Sequence, residues 1–162
     1  MMKSIKVCVV GEEGVGKSTL VSSFVNNEYK ETTTKYTALT QTDNGLMEIN
    51  FWVSSERDSY EERIQYYVDT DCFILCFAMN DQNSFDKIQS IWIPEIQQNT
   101  NSPVFFLAAT KTDLKESKYP QKLNDIVNQT FVSRLSMHVL GRKINAIGVV
   151  EFSSKEPVCS FI

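Results

Sequence analysis

The chain has 162 residues, of which 42% are hydrophobic and 22% are charged, and its formal net charge is −4. This length and composition fit one compact domain with a sizeable core and argue against disorder. The negative balance provides no basic surface for nucleic acid, no apolar run approaches the ~20 residues of a membrane span, and the N-terminus is too short to be a signal peptide. We therefore expect a single domain over residues 1–162 in the cytoplasm.

Apolar runs alternate with helical patterns along the chain. Strands are predicted at residues 5–10, 38–42, 46–53, 72–79, 104–109 and 146–152. The turn signal Asp43-Asn44-Gly45 predicts a hairpin between the second and third of them. Helices are predicted at 17–25, 60–68, 84–98 and 131–140, the last with Phe131, Leu135 and Val139 on its apolar stripe. This alternation predicts a three-layer α/β domain whose six-stranded sheet is mostly parallel.

The cysteines are scattered along the chain. Cys8 and Cys76 lie inside apolar runs, so we expect buried, reduced thiols there rather than a disulfide or a metal site. The polar segment 115–128 is predicted to be a surface insertion. The lone His138 falls on a predicted helix, where we expect it to be structural or exposed.

Residues 11–18 (GEEGVGKS) fit the phosphate-binding pattern G-x-x-x-x-G-K-[ST]. An apolar strand precedes this loop and a helical pattern follows it, which is the context that makes the pattern informative. Backbone N–H groups of such a loop converge on phosphate oxygens, and the helix N-terminus adds a partial positive charge. We expect Lys17 to reach the outer phosphates and Ser18 to bind Mg²⁺. The candidate phosphate-binding residues are Gly11, Gly14, Val15, Gly16, Lys17, Ser18 and Thr19.

Two further signals follow predicted strands downstream. Residues 110–113 (TKTD) follow the strand at 104–109, at the strand end where open α/β sheets bind ligands. A carboxylate at Asp113 can accept hydrogen bonds from the guanine N1–H and exocyclic amine, which adenine does not offer, and Lys111 would lie along the base. Ser153, Ser154 and Lys155 follow the last strand, where a backbone N–H could contact the base carbonyl. Each signal alone is weak, and a solvated loop is the alternative for each.

Together and in this order, the three signals resemble those of the small GTPases of the Ras superfamily. Residues 92–95 (WIPE) and the T-K-x-D form of residues 110–113 resemble the Rho/Rac branch, and the resemblance extends from Ile5 to Lys155. It implies a P-loop G domain with a Rho-type insert at about 115–128. It also implies binding of GTP or GDP with Mg²⁺, and effector or regulatory proteins bound through the switch surface, with no nucleic acid partner.

The departures from the family pattern fall on the hydrolytic machinery. Where the family has D-T-A-G-Q, residues 53–57 read VSSER. Val53 replaces the aspartate that holds Mg²⁺, Glu56 the glycine that senses the γ-phosphate, and Arg57 the glutamine that orients water. Glu13 stands where a small residue approaches the γ-phosphate, and its carboxylate adds repulsion, whereas Glu12 is expected to point outward and matter less. With Glu13, Glu56 and Arg57 degenerate, no catalytic residue is intact; Arg57 as a built-in arginine finger is the alternative to a surface arginine.

The first switch also departs from the family. Only a shortened segment aligns Thr32 with the family threonine that binds Mg²⁺, and Thr33 and Thr34 are the alternatives if the alignment slips. The metal candidates are therefore Ser18 and Thr32, with Mg²⁺ binding weakened by the loss of an aspartate at Val53. Val25 replaces the aromatic residue that stacks on the base, and Phe24 beside it is a substitute that the sequence allows.

The family continues with a last amphipathic helix, which we expect to be missing or truncated here. The ending Cys159-Ser160-Phe161-Ile162 has the C-a-a-X form, but Ile is not a usual terminal residue, so we favour a chance match. Membrane contact is expected only if Cys159 is prenylated.

The leading hypothesis is a guanine-nucleotide-binding signalling protein with impaired or absent GTP hydrolysis. The alternative is a nucleotide-free pseudo-GTPase that acts as a protein-interaction module. A hydrolase or P-loop kinase of another family is the third hypothesis, and Asp113 and residues 92–95 argue against it.

Overall fold

A computed structural model of the chain describes residues 3–25, 34–55, 57–116, 131–155 and 160–161. The strands are β1 (Lys3–Val10), β2 (Lys35–Thr42), β3 (Gly45–Val53), β4 (Cys72–Ala78), β5 (Phe105–Thr110), β6 (Gly148–Glu151) and β7 (Ser160–Phe161). The helices are α1 (Lys17–Val25), α2 (Tyr60–Tyr67), α3 (Gln82–Lys87), α4 (Ile93–Asn99), α5 (Asp113–Glu116) and α6 (Arg134–Lys143), with a π-helical turn at Ile88–Trp92 between α3 and α4.

These strands form one sheet in the order β2-β3-β1-β4-β5-β6-β7. The strands from β3 to β6 pair in parallel, while β2 pairs antiparallel to β3 and β7 antiparallel to β6. All six predicted strands form, and the predicted hairpin joins β2 to β3. The two-residue β7 was not predicted, and the described residues after β6 contain this strand and no helix.

Helices pack on both faces of the sheet, which confirms the three-layer α/β architecture. The strand β4 shows why, because its side chains alternate between the two cores. Phe73, Leu75 and Phe77 face a cluster built with α3, α4 and α6, while Cys76 and Ala78 face a second cluster built with α1 and β3. A continuous apolar run is therefore what a strand covered on both sides requires.

Cys8 and Cys76 are fully buried free thiols, as predicted. Burial raises the pKa of each thiol to about 12, so both are protonated at neutral pH. Cys72 is also free and half-buried, and Cys159 lies outside the described residues.

The helical segment after β4 is interrupted rather than regular. Its middle turn is a π-helical turn, in which the backbone N–H of Ile93 donates to the carbonyl of Ile88, five residues back. Pro94 follows directly and has no N–H to donate to the carbonyl of Ser90. A wider turn before it moves that carbonyl away from the proline ring, so the helix continues without a steric clash. This turn places the side chain of Trp92 in the core, where it is 4% exposed.

The predicted apolar stripe of the helix before β6 is wrong. The helix begins at Arg134 rather than at Phe131, because the hydroxyl of Ser133 caps it by accepting from the N–H of Ser136 at 3.0 Å. Leu135 and Val139 are 73% and 58% exposed. The buried apolar residues of this segment are instead Val132, Met137 and Leu140, and Phe131 is only partly buried.

The position of α6 is set by contacts that a local pattern cannot contain. The N–H of Val132 donates to the carbonyl of Met79 at 2.9 Å, which ties the chain before the helix to the end of β4. Arg134 then forms a two-bond ion pair with the buried carboxylate of Glu151, with both N–O distances at 2.8 Å. These two contacts rotate the helix so that Met137 faces the core.

A second ion pair joins α2 to α4. Arg63 donates two hydrogen bonds to Glu95, at 3.0 and 2.8 Å, and the hydroxyl of Tyr67 donates a third at 2.6 Å. Partial burial alone would raise the pKa of Glu95, but the bonds from Arg63 and Tyr67 outweigh it, and the pKa lies below its ordinary value. We call these three residues the Glu95 clamp.

The corrected face of α6 is tested by two truncations in the same helix. Met137→Ala removes a fully buried side chain and is expected to lower the free energy of unfolding by about 2–5 kcal/mol. Val139→Ala removes an exposed one and is expected to change it by less than about 0.5 kcal/mol. Chemical denaturation of both variants measures the difference, and equal effects would restore the predicted stripe.

The Glu95 clamp predicts a stability difference that depends on pH. Glu95→Gln removes the charge that holds Arg63, and it is expected to lower the free energy of unfolding by about 1–3 kcal/mol near neutral pH. Because the folded-state pKa of Glu95 is depressed, its contribution is complete above the unfolded value of about 4.5 and is lost as the pH falls through the lower folded value.

Urea denaturation of the original chain and Glu95→Gln, at neutral pH and at about pH 3, measures this effect. The difference in the free energy of unfolding between the two proteins should become smaller at about pH 3. Glu61→Gln, which changes an exposed carboxylate of α2, is the control and should show little gap at either pH. A gap for Glu95→Gln that stays constant into acid would show that the clamp does not depend on the charge.

Candidate functional site

The phosphate loop between β1 and α1 has a backbone path that needs its glycines. Gly11, Gly14 and Gly16 have φ values of +146°, +70° and +99°, in a region that side chains disfavour. Gly11 also passes close to β4, because a Cβ placed on it would lie 2.1 Å from the carbonyl oxygen of Cys76. No other residue could take this path without moving β4.

Lys17 is held inside this loop. Its side chain is buried, and its ammonium donates to the backbone carbonyls of Gly11 and Glu12, each at 2.7 Å. Ser18 and Thr19 follow in the first turn of α1, which contains no acidic residue. The positive end of this nine-residue helix and the buried ammonium thus lie at one loop, and this donor set fits phosphate oxygens.

Thr110, at the end of β5, ties the second part of the site to the phosphate loop. Its buried hydroxyl is shared between the backbone carbonyls of Val15 and Phe77, the latter at 3.1 Å. The end of β5, and with it the T-K-x-D residues, is therefore fastened directly to the loop at Val15. The structure thus brings together the first two predicted parts of the site.

Asp113 and the loop after β6 form the third part. The hydroxyl of Ser153 donates to one oxygen of Asp113 at 2.8 Å, and the ammonium of Lys155 lies 3.1 Å from the other. Partial burial alone would raise the pKa of Asp113, but these two partners lower it below the usual value. Two carboxylate oxygens offer about four acceptor positions, so the partners of Asp113 leave acceptor capacity for a donor of a ligand. Lys111 is half-buried beside it with a φ of +56°, and Ser154 is exposed.

The two loop glutamates lie in different surroundings. The carboxylate of Glu12 forms an ion pair with Lys87 of α3 and accepts a hydrogen bond from the indole of Trp92 at 3.2 Å. Glu13 is exposed, although it too has an interaction partner. Glu12 was expected to point outward, but its side chain is only 16% exposed and packs against α3 and Trp92. Its partners were missed by the sequence analysis because Lys87 is 75 residues away.

The end of β3 offers no carboxylate at the position where the family has one. Val53 is 4% exposed in the second core cluster, and its N–H donates to the carbonyl of Thr34 at 2.7 Å. Arg57 is exposed, and its backbone N–H donates a hydrogen bond to the hydroxyl oxygen of Ser55. The described residues contain no group of three or more His, Cys, Asp or Glu side chains that could hold a metal ion. Of the two metal candidates, Ser18 lies among the described residues and Thr32 does not, and of the alternatives to Thr32 only Thr34 is described.

Several predicted features lie outside the described residues. They are Thr32 and Thr33 of the first switch, Glu56 of the second, residues 117–128 of the predicted insert, and Cys159. Phe24 is described, and its ring packs edge-on against Phe51 of β3 with ring centres 5.5 Å apart. A base-stacking role for Phe24 therefore has no support from its packing.

A groove on the outer face of the sheet lies apart from the phosphate loop. Trp52 of β3 is flanked by the ammonium groups of Lys35 and Lys6, at 3.8 and 4.7 Å from the ring centre. With neighbouring residues of β2 and β3 they line a cavity of about 330 Å³.

Within the described ranges, no helix has the length and apolar character of a membrane span.

Comparison with known proteins agrees with this geometry. The sequence model of the Ras family matches residues 6–158. Similar proteins include the Rho-related GTP-binding protein RhoD of Homo sapiens, which is 26% identical over 95% of this chain and 76% of its own length.

Two further relatives are covered over less of their length. The Rho-related protein racO of Dictyostelium discoideum is 31% identical over 95% of this chain and 61% of its own length. The GTP-binding protein RHO5 of Saccharomyces cerevisiae is 23% identical over 94% of this chain and 60% of its own length. These matches show that the chain belongs to the Ras family, as a Rho-like member of the Ras superfamily.

Proposed function

We propose that this chain is a guanine-nucleotide-binding signalling protein that hydrolyses GTP slowly or not at all. One observation carries the proposal. The glycine loop is bonded at Val15 to Thr110, three residues before the paired carboxylate of Asp113, while the end of β3 presents the buried, apolar Val53. This supports a site in which the residues proposed to bind nucleotide are connected and those proposed to act on the γ-phosphate have changed.

Nucleotide binding follows from the two ends of the site. The phosphate loop would hold the phosphates of GTP or GDP through its backbone N–H groups and Lys17, and Asp113 would accept hydrogen bonds from the guanine edge. Mg²⁺, when bound, would neutralise charge on the phosphate oxygens. Ser18 and Thr32 would hold it, without the carboxylate that an aspartate at Val53 would supply.

Slow hydrolysis follows from the residues around the position of the γ-phosphate. Phosphoryl transfer depends on positioning of the attacking water and on stabilisation of negative charge. Glu13 adds a carboxylate to the loop, and Arg57 and Glu56 stand where the family has glutamine and glycine. Arg57 is exposed, which favours a surface arginine over an arginine finger.

Such a protein would act through proteins that bind its switch surface. The outer face of β2 and β3, with Trp52 between two lysines, and the neighbouring α2 form the described part of that surface. The chain spans about three quarters of RhoD and about 60% of racO and RHO5, so the partners of those whole proteins are carried over only as part of this proposal. We also propose a cytoplasmic location.

A nucleotide-free pseudo-GTPase is the second candidate. The observation that favours it is that the charges of the site already have protein partners. Lys17 is bonded to two carbonyls of its own loop, and both oxygens of Asp113 have donors from the loop after β6. These contacts satisfy part of the hydrogen-bonding capacity of both groups without a nucleotide. Chromatography of the material released by denaturing the purified protein distinguishes the candidates, because only the first predicts GDP or GTP there.

Asp113→Asn tests guanine recognition. The substitution replaces a charged acceptor that would take two hydrogen bonds from guanine, so binding of GDP is expected to weaken by about 100-fold or more. Calorimetric titration of nucleotide-stripped protein measures this, with Asp43→Asn in the exposed β2–β3 turn as the control. Unchanged GDP affinity in Asp113→Asn would show that Asp113 does not recognise guanine, and no binding by the original chain would support the pseudo-GTPase.

Hydrolysis is tested by single-turnover reactions with preloaded GTP. The original chain is expected to be slower by at least about 100-fold than a Rho-family protein that retains the D-T-A-G-Q residues, because removal of one positioning group alone costs about that much. Combined Glu13→Gly, Glu56→Gly and Arg57→Gln should raise the rate. Glu61→Gln, on the exposed surface of α2, should not. Hydrolysis by the original chain at the family rate would refute the proposal.

A further inference from the structure

Glu12 makes contacts on both sides of the phosphate loop. Its backbone carbonyl accepts a hydrogen bond from the ammonium of Lys17 at 2.7 Å, and its side chain forms the ion pair with Lys87 and accepts from Trp92. Only 16% of the Glu12 side chain is exposed, so the carboxylate is held in place rather than solvated. Displacing the loop at Lys17 would therefore displace the anchor on Trp92.

Trp92 carries this contact to α2. Its ring is buried, and the guanidinium carbon of Arg63 lies 5.7 Å from the ring centre. Arg63 belongs to the Glu95 clamp, and it also donates to the carbonyl of Asp58 at 2.9 Å. A charged group stacked on an aromatic ring with three further bonds has little freedom to move independently of that ring.

The segment reached by Arg63 is the loop between β3 and α2. The carboxylate of Asp58 accepts from the N–H of Ser55 at 2.6 Å, and Ser59 and Glu62 form a capping box at the start of α2. This loop contains the positions where the family senses the γ-phosphate. A continuous set of contacts thus runs from Lys17 to the second switch without using those positions.

We propose that Glu12 is a positioning residue that couples the phosphate loop to the second switch through Trp92 and Arg63. The proposal rests on the proposed function in one respect, namely that phosphate bound at Lys17 is what shifts the loop. In a chain with Val53 at the metal-holding position and Glu56 at the position that senses the γ-phosphate, these contacts transmit a displacement of the loop to α2. Anchoring by Lys87 and Trp92 also holds the Glu12 carboxylate away from the phosphates.

The coupling is tested without nucleotide by a double-mutant cycle. Lys17→Met removes the two bonds to the loop carbonyls, and Glu12→Ala removes the anchor on α3 and Trp92. The readouts are the NMR signals of the Trp92 indole N–H and the Arg63 Nε–H. The chain has two tryptophans, so Trp52→Phe assigns the indole signals. Lys17→Met should shift both signals, and at least about half of each shift should be lost in the Glu12→Ala background.

The controls separate coupling from loss of structure. Asp86→Asn alters an exposed carboxylate of α3 and should leave the response to Lys17→Met intact. Glu12→Gln keeps an acceptor for the indole, so it should retain the Trp92 response better than Glu12→Ala does, and it replaces that variant if Glu12→Ala does not fold. Equal shifts with and without Glu12, or no shift on Lys17→Met, would overturn the proposal.

A second arm adds GDP with Mg²⁺ to the nucleotide-stripped protein. Binding should shift both signals in the original chain, and Glu12→Ala should lose at least about half of that shift at saturating GDP. Full shifts in Glu12→Ala would overturn the coupling. If the original chain binds no GDP, the proposed function fails, and the double-mutant cycle alone decides whether Glu12 couples the loop to α2.

Discussion

The site depends on the close passage of the phosphate loop over the end of β4. Gly11 lies so near the carbonyl of Cys76 that no side chain fits between them, and this contact sets the loop relative to the sheet. Thr110 then joins β5 to the same loop through Val15. Since β4 and β5 are parallel neighbours, their carboxyl ends meet at one edge, and the phosphate and base loops extend from that edge. The distance between the two ends of the site is thereby fixed by strand pairing.

Two ion pairs determine how helices are joined to the rest of this fold. Arg134 with Glu151 sets the rotation of α6, and the Glu95 clamp sets α2 against α4. Pairing of this kind contributes little net stability, because desolvation offsets the attraction, but losing one partner is costly. Such contacts therefore specify positions more than they add free energy, which suits helices that flank a binding site.

Much of the fold could be predicted from the sequence because its strands are covered on both faces and appear as uninterrupted apolar runs. The site parts were predictable because each follows a strand. The face of α6 could not be predicted, since Leu135 and Val139 form as regular a stripe as Met137 and Leu140, and only contacts with Met79 and Glu151 select between them. The π-helical turn was missed for a related reason. Pro94 signals an irregularity, but not its form.

The adjacent glutamates of the phosphate loop illustrate the same limit at the site itself. In the sequence they are adjacent, and both add a carboxylate to a phosphate-binding loop. In the structure the carboxylate of Glu12 is neutralised by Lys87 and oriented by Trp92, while Glu13 is exposed and has an interaction of its own. A carboxylate that is paired with an ammonium group imposes little repulsion on a phosphate. The charge that would oppose hydrolysis and the charge that would position the loop are thus carried by neighbouring residues with different partners.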